Sequence, residues 1–262
     1  MIGHSLSVQN VTKRFGHLTA VEGISFDVHP REFISVIGPS GCGKSTLFNI
    51  IGGFVGGYEG TLLVDGKATV ARRSIGMVFQ EESTFPWRTT LQNVAFPLEV
   101  AGVPKKEREA RARDLISLVG LTGFENSYPT EMSGGMRQRT AIARTLAFDP
   151  QILLMDEPFA ALDEQTRLLV GDKVLQIHQQ LNQTSLLITH NITEAVQLSD
   201  RVIVMTYRPG RVKRIVDIDL PRPRTSEIVG SARFGALVGS IWNDLREEAS
   251  RGMSEAERRK VG

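Results

Sequence analysis

The stretch Gly38-Pro39-Ser40-Gly41-Cys42-Gly43-Lys44-Ser45 reads glycine, four free positions, glycine, lysine, serine. An apolar run, Phe33 to Ile37, leads into it, and a helix-like run, Leu47 to Ile51, leads out. A strand that empties into such a loop and then a helix forms a phosphate cradle. Glycines let backbone N–H groups curl around an anion, and the helix N-terminus behind them adds about half a positive charge. On this reading Lys44 reaches the β- and γ-phosphates, and the Ser45 hydroxyl holds Mg²⁺. A chance glycine-rich turn would need neither the strand before it nor the helix after it.

A chain of 262 residues is long enough for one sizeable domain with a sub-domain. Thirty-one lysines and arginines against 29 acidic residues leave a formal charge of +2, without the basic excess that marks most nucleic-acid binders. No apolar run approaches the roughly 18 residues of a membrane helix, and the N-terminus lacks a charged-then-apolar secretion signal. The expectation is a cytoplasmic protein that does not itself cross a bilayer. The single cysteine, Cys42, excludes an internal disulfide. It is either a small filler or a reactive thiol whose pKa is depressed at a helix N-terminus. In the second case a thiol reagent would block nucleotide binding and ATP would protect.

Alternation at Leu6/Val8 and Ile24/Phe26/Val28 predicts an antiparallel strand pair over Leu6 to Val28. Phe15 between them is either core or a platform for an adenine ring. Tyr58 to Gly66 reads as a strand and turn, and Ser74 to Phe79 as a buried strand closing at Gln80. Residues from about 83 to 150 show no strand pattern and read as a helical insertion. In it Phe85-Pro86-Trp87 and Phe96-Pro97 supply rigid turns and exposed aromatics, and Gly120 ends a charged helix begun near Pro104. The last helix of the insertion opens at Ser133-Gly134-Gly135, with Ser133 as N-cap and a possible second anion site, and stops at Asp149-Pro150.

Gln151 to Met155 then forms a strand buried on both faces that delivers Asp156 and Glu157 at its end. A helix follows over 165–181, with Val170, Val174, Ile177 and Leu181 in one stripe. The strand Ser185 to Thr189 ends at His190. Val202 to Met205 pairs with Val212 to Ile218 through Arg208-Pro209-Gly210-Arg211, a type II turn by its Pro-Gly centre. Pro221-Arg222-Pro223-Arg224 is linker, and a helix over about Ala232 to Ala249 buries Phe234, Leu237, Val238, Ile241 and Leu245 before a frayed tail. The fold class is α/β: a mostly parallel sheet flanked by helices, an N-terminal antiparallel sub-domain and a helical insertion. A core of 1–82 and 151–224 encloses the insertion, and 225–262 forms a C-terminal helix and tail.

Parallel strands that end in Lys44-Ser45, Asp156-Glu157, His190 and Gln80 put all four on the ligand-binding edge of one sheet. Mg·ATP needs what that edge offers: N–H groups and a lysine for phosphate, a carboxylate for the metal and a group to orient water. At this point the chain resembles the nucleotide-binding subunit of the ATP-binding cassette family, nearly from end to end. Residues 38–45 match its Walker A motif, Ile152 to Glu157 its Walker B with the following glutamate, and Gln80 and His190 its Q-loop and switch histidine. Ala160-Ala161-Leu162-Asp163 falls on the D-loop. Met132-Ser133-Gly134-Gly135-Met136-Arg137-Gln138 falls on the family signature, the most specific match, which separates this family from P-loop kinases and GTPases.

The resemblance implies a P-loop ATPase in which Glu157 polarises water, Asp156 supports Mg²⁺, Gln80 senses metal and water, and His190 contacts the γ-phosphate. Phe15 becomes the adenine platform. Gly38 to Ser45 and Thr46 hold the phosphates, and Ser133-Gly134-Gly135 clamps the γ-phosphate of a second ATPase subunit, since in the family two cassettes close head to tail. Met132, Met136 and Ala160 stand where leucine, glutamine and serine are usual, which implies fewer side-chain contacts without loss of function.

Phe85-Pro86-Trp87, Asp156-Glu157-Pro158-Phe159 and the Arg208-Pro209-Gly210-Arg211 and Leu220 to Arg224 stretches resemble the branch that drives uptake of nitrate, sulfonates and taurine. The expectation is a chain without the extra β-domain of sugar-importer ATPases. The implied partners are a second copy or homologous chain, membrane permease subunits and, indirectly, a periplasmic or extracellular solute-binding protein, with the chain on the cytoplasmic face of the membrane and no nucleic acid. Trp87 either docks the permease or packs within the insertion. An exporter ATPase, a soluble cassette protein acting on DNA or ribosomes, and a small-molecule kinase are the alternatives.

Overall fold

The computed structural model describes residues 4–68, 75–80, 83–160, 162–222 and 224–261. Ser74, Ala161 and Pro223, assigned above to a strand, the D-loop and the linker, lie outside them. The antiparallel pair expected at the start of the chain is present as β1 (Leu6–Phe15) and β2 (Leu18–Val28), with Leu6 opposite Val28 and Val8 opposite Phe26. β3 (Phe33–Ile37) enters the phosphate loop and α1 (Lys44–Ile51) leaves it. β4 (Glu59–Val64) and the short β5 (Lys67–Ala68) follow. They join the first pair to give a four-stranded sheet in the order β2-β1-β4-β5, a partnership across the phosphate loop that no local pattern encodes.

After β6 (Ile75–Val78) the chain is helical, through α2 (Thr90–Val100), α3 (Lys105–Leu118) and α4 (Gly134–Leu146). Thr89 starts α2 with a capping box to Gln92. Pro97, expected in a turn, lies inside α2, and Phe96 is half-buried against Phe85 with ring centroids 4.8 Å apart. Of the three expected surface aromatics only Trp87 is largely exposed.

The second half supplies β7 (Ile152–Asp156), α5 (Glu164–Leu181), β8 (Thr184–Ile188), α6 (Ile192–Leu198), β9 (Arg201–Met205), β10 (Val212–Asp217) and α7 (Ala232–Val261). The larger sheet runs β10-β9-β3-β8-β7-β6. β3, β6, β7, β8 and β9 are mutually parallel, and β10 is the antiparallel edge. Two expectations fail here. α7 continues to Val261 where a frayed tail was expected. The loop between β9 and β10 is not a type II turn: Gly210 lacks the positive φ which that turn demands. Gly210 is required for room instead, because a Cβ there would meet the Cys42 carbonyl oxygen at 2.0 Å.

Because side chains alternate along a strand, the central sheet feeds a separate core on each face. Leu153, Met155 and Leu187 pack with the helices α2 to α5, whereas Ile152, Leu154, Leu186 and Ile188 pack with α1 and the antiparallel sheet. A third cluster seats Phe234, Leu237 and Ile241 of α7 against α6 and β9. With both faces covered, the sheet leaves one edge for chemistry, the C-terminal ends of β3, β6, β7 and β8. No helix among the described residues is long and apolar enough to cross a membrane.

Candidate active site

That edge holds a cleft of about 580 Å³ lined by Phe15, Leu18 and Ala20 on one side, by residues of the phosphate loop beneath, and by Gln80, Glu157, His190 and Arg208 around the rim. Gly38, Ser40, Gly41, Gly43, Lys44, Ser45 and Thr46 all reach it. Gly43 has φ 99°, and a Cβ on it would lie 2.7 Å from the Ala20 carbonyl oxygen, so the start of α1 needs glycine for both conformation and space. Lys44 Nζ donates to the carbonyls of Gly38 at 2.8 Å and Pro39 at 3.1 Å. The lysine arches over its own loop, neutralising carbonyl oxygens that would repel an anion.

Cys42 contributes differently from the reactive-thiol reading. Its side chain is fully buried in the core beneath the loop, and burial pushes the thiol pKa up despite the Lys44 charge. This burial supports the filler reading over the reactive thiol. Pro39 likewise takes part through its backbone, as the carbonyl that accepts from Lys44 and from the Cys42 N–H.

Asp156 ends β7 almost fully buried. Burial raises its pKa, a hydrogen bond from Ser45 lowers it, and Glu157 and Lys44 act in opposite directions. Its Oδ1 is buried with no hydrogen-bond partner. A carboxylate oxygen held dry beside a serine hydroxyl is a donor set that suits a hard cation, and Mg²⁺ takes few protein ligands when phosphate and water supply the rest. The residues present therefore fit a Mg²⁺ held by Ser45 and Asp156.

Glu157 stands next in the chain with φ 45°, a left-handed conformation that a non-glycine residue adopts under constraint. Its N–H donates to the Ile188 carbonyl at 2.9 Å, which ties the turn to β8. Its Oε2 accepts from Gln80 Nε2 at 3.2 Å, and the Nδ1 of His190 lies at the same distance. Two side chains far apart in sequence thus meet on one carboxylate oxygen of a third at the mouth of the cleft.

Behind His190 lies a group that the sequence reading missed. Thr189 donates its hydroxyl to Glu194 Oε2 at 2.7 Å, and burial raises the Glu194 pKa to about 7. The place of Arg208 at the cleft was also missed, because its motif read as a turn and a mark of the branch rather than as part of the site. Ser133-Gly134-Gly135 do not line this cleft. Ser133 caps α4 by accepting from the Met136 N–H at 3.3 Å, and a Cβ on Gly135 would sit 3.3 Å from Thr166 of α5. Met132 is buried and Met136 partly buried in the core of the helical insertion, so both unusual methionines of the signature fill apolar space.

A family model described as ABC transporter matches residues 21–160. An uncharacterised ABC transporter ATP-binding protein of Methanocaldococcus jannaschii is 50% identical over 93% of this chain and 92% of its own length. An aliphatic sulfonates import ATP-binding protein of Bacillus cereus is 42% identical over 84% of this chain and 89% of its own. Among solved structures, a dimeric bacterial ABC transporter cassette superposes with a TM-score of 0.73 at 32% identity, covering 82% of this chain and 100% of that one. A post-hydrolysis dimer bound to ADP and Pi gives 0.72 at 33% identity, with the same coverage. Phosphate loop, buried carboxylate and relatives agree: the chain belongs to the ABC transporter family, as one of its ATP-binding subunits.

Proposed function

We propose that this chain hydrolyses ATP to drive an importer for a small anionic or zwitterionic solute of the sulfonate, nitrate or taurine kind. The carrying observation is the meeting of Gln80 and His190 on Glu157 Oε2 at the rim of the cleft that contains Lys44. The loop at 38–45 binds the phosphates, Phe15 stacks on the base, and Glu157 accepts the proton of the attacking water while Gln80 and His190 hold its carboxylate in place. Ser45 and Asp156 would hold Mg²⁺, which when bound would neutralise charge on the phosphate oxygens. The second anion site, Ser133-Gly134-Gly135, acts on the nucleotide of a partner ATPase subunit. The importer reading is supported by the sulfonate-import relatives, and it sets the chain against permease subunits on the cytoplasmic face of the membrane.

Glu157→Gln keeps the shape of the side chain and removes its basicity. Turnover measured as phosphate release falls by about 10²–10⁴, the usual contribution of a general base, while ATP binding persists. Lys44→Ala weakens ATP binding itself by deleting a charge-assisted contact. Normal phosphate release from the Glu157 variant removes that residue from its role, and normal ATP affinity in the Lys44 variant removes the loop from its own.

A further inference from the structure

The loop joining β9 to β10 has been given no role in nucleotide binding or hydrolysis, yet it touches the phosphate loop. Arg208 donates from Nε and Nη2 to the carbonyl oxygen of Gly41, at 3.2 and 3.0 Å. Gly210 is seated against Cys42. Its N–H donates to the Ala20 carbonyl at 3.0 Å, and its own carbonyl accepts the Glu22 N–H at 2.9 Å. The tip of this hairpin is therefore fixed to β2 and to the phosphate loop together.

An anion cradle works when its N–H groups face inward and its carbonyl oxygens are turned away or neutralised. Lys44 covers the carbonyls of Gly38 and Pro39, and Arg208 covers that of Gly41. The peptide between Gly41 and Cys42 is held at both ends, since its N–H donates to Pro39 at 3.3 Å.

What fixes Arg208 lies on the C-terminal helix. The Tyr207 N–H donates to Glu248 Oε2 at 3.0 Å, and Glu248 is 1% exposed. Its Oε1 accepts from Lys213 Nζ at 2.9 Å and Arg251 Nη1 at 3.2 Å. Gly252 meets the Tyr207 ring, where a Cβ would lie 2.7 Å from Cε2. A buried carboxylate satisfied by two cations and a backbone N–H makes a fixed post, costly to disturb.

We propose that Arg208 is a positioning residue for the phosphate loop and that Glu248 fixes its place, so that α7 helps to set nucleotide affinity. This rests on the reading of residues 38–45 as the phosphate site and adds a link from that site to the C-terminal helix.

The test is equilibrium binding of a non-hydrolysable ATP analogue with Mg²⁺, alongside KM and kcat for ATP, on the full chain carrying Arg208→Ala, Arg208→Lys, Glu248→Ala or Arg208→Ala with Glu248→Ala. Arg208→Ala weakens binding about tenfold, as expected for a charged hydrogen bond, and raises KM by more than it lowers kcat. Arg208→Lys recovers part of the loss. Glu248→Ala weakens binding less, and the double variant is no worse than Arg208→Ala alone, as for residues acting in series. Should Glu248→Ala fail to fold, Gly252→Ala, which presses on Tyr207 from the same helix, replaces it with the same expected result.

Unchanged affinity in Arg208→Ala overturns the proposal, and additive losses in the double variant overturn the role of α7. Lys44→Ala run in parallel separates the two readings. Intact binding there sinks the phosphate site, whereas loss there with no change at Arg208 sinks only this inference.

Discussion

A carboxyl group without water around it keeps its proton, and Glu194 is such a group. It accepts the Thr189 hydroxyl on one oxygen, the other is buried without a partner, and burial carries its pKa from 4.5 to about 7. Arg167 pulls the value down and Glu157 pushes it up. The folded chain therefore holds a proton that the unfolded chain releases, and stability falls as pH rises from about 4.5 through 7. Glu194→Gln, which is neutral throughout, gains thermal midpoint relative to the wild type as pH goes from 5 to 8. A pH-independent difference contradicts the buried acid. His178 has the opposite sign. It is buried, edge-on to Phe33 with its Nδ1 3.1 Å from Ser185 Oγ, and burial lowers its pKa from 6.5 to about 4. Its contribution is complete above pH 6.5 and is lost as pH falls toward 4, so His178→Gln flattens the acid side of the stability profile. Neither group was legible in the sequence, because a lone acid or histidine shows its environment only after the elements around it have packed. Lys44, Asp156 and Glu157 could be read, since strand-end position and spacing already fix where they stand.

At the scale of the element, the β9–β10 hairpin shows what a turn motif leaves open. Pro-Gly announced a reversal, and there is one, but the glycine serves the approach of Gly210 to Cys42 rather than a left-handed turn. Gly210→Ala drives a Cβ into a backbone oxygen that cannot swing aside. It costs about 1–3 kcal/mol, the range of overpacking, and shows as a lower midpoint in thermal unfolding together with weaker ATP binding. An alanine variant of wild-type stability contradicts this close contact. The strands themselves were readable from period-two alternation and apolar runs, and α5 and α7 from their stripes. Pairing of β4 with β1 was not, since partners so distant in the chain are chosen by the shared core under both sheets. Pro97 misled because α2 is held by packing and a good cap, which outweigh one missing N–H.

For the whole molecule, the cleft and the serine-capped start of α4 are separate surfaces of one chain, and the solved cassettes that it resembles are dimers. Glu157→Gln with Mg·ATP elutes as a dimer on size exclusion and as a monomer without nucleotide. A lone species at saturating ATP contradicts a shared site. The separation of those two surfaces also bears on rate. If each cleft is completed by another copy, the isolated chain obeys mass action: output per molecule climbs with its own concentration and fades on dilution. A scaffold that keeps two copies side by side would abolish that dependence, so the same polypeptide would idle when free and run when mounted.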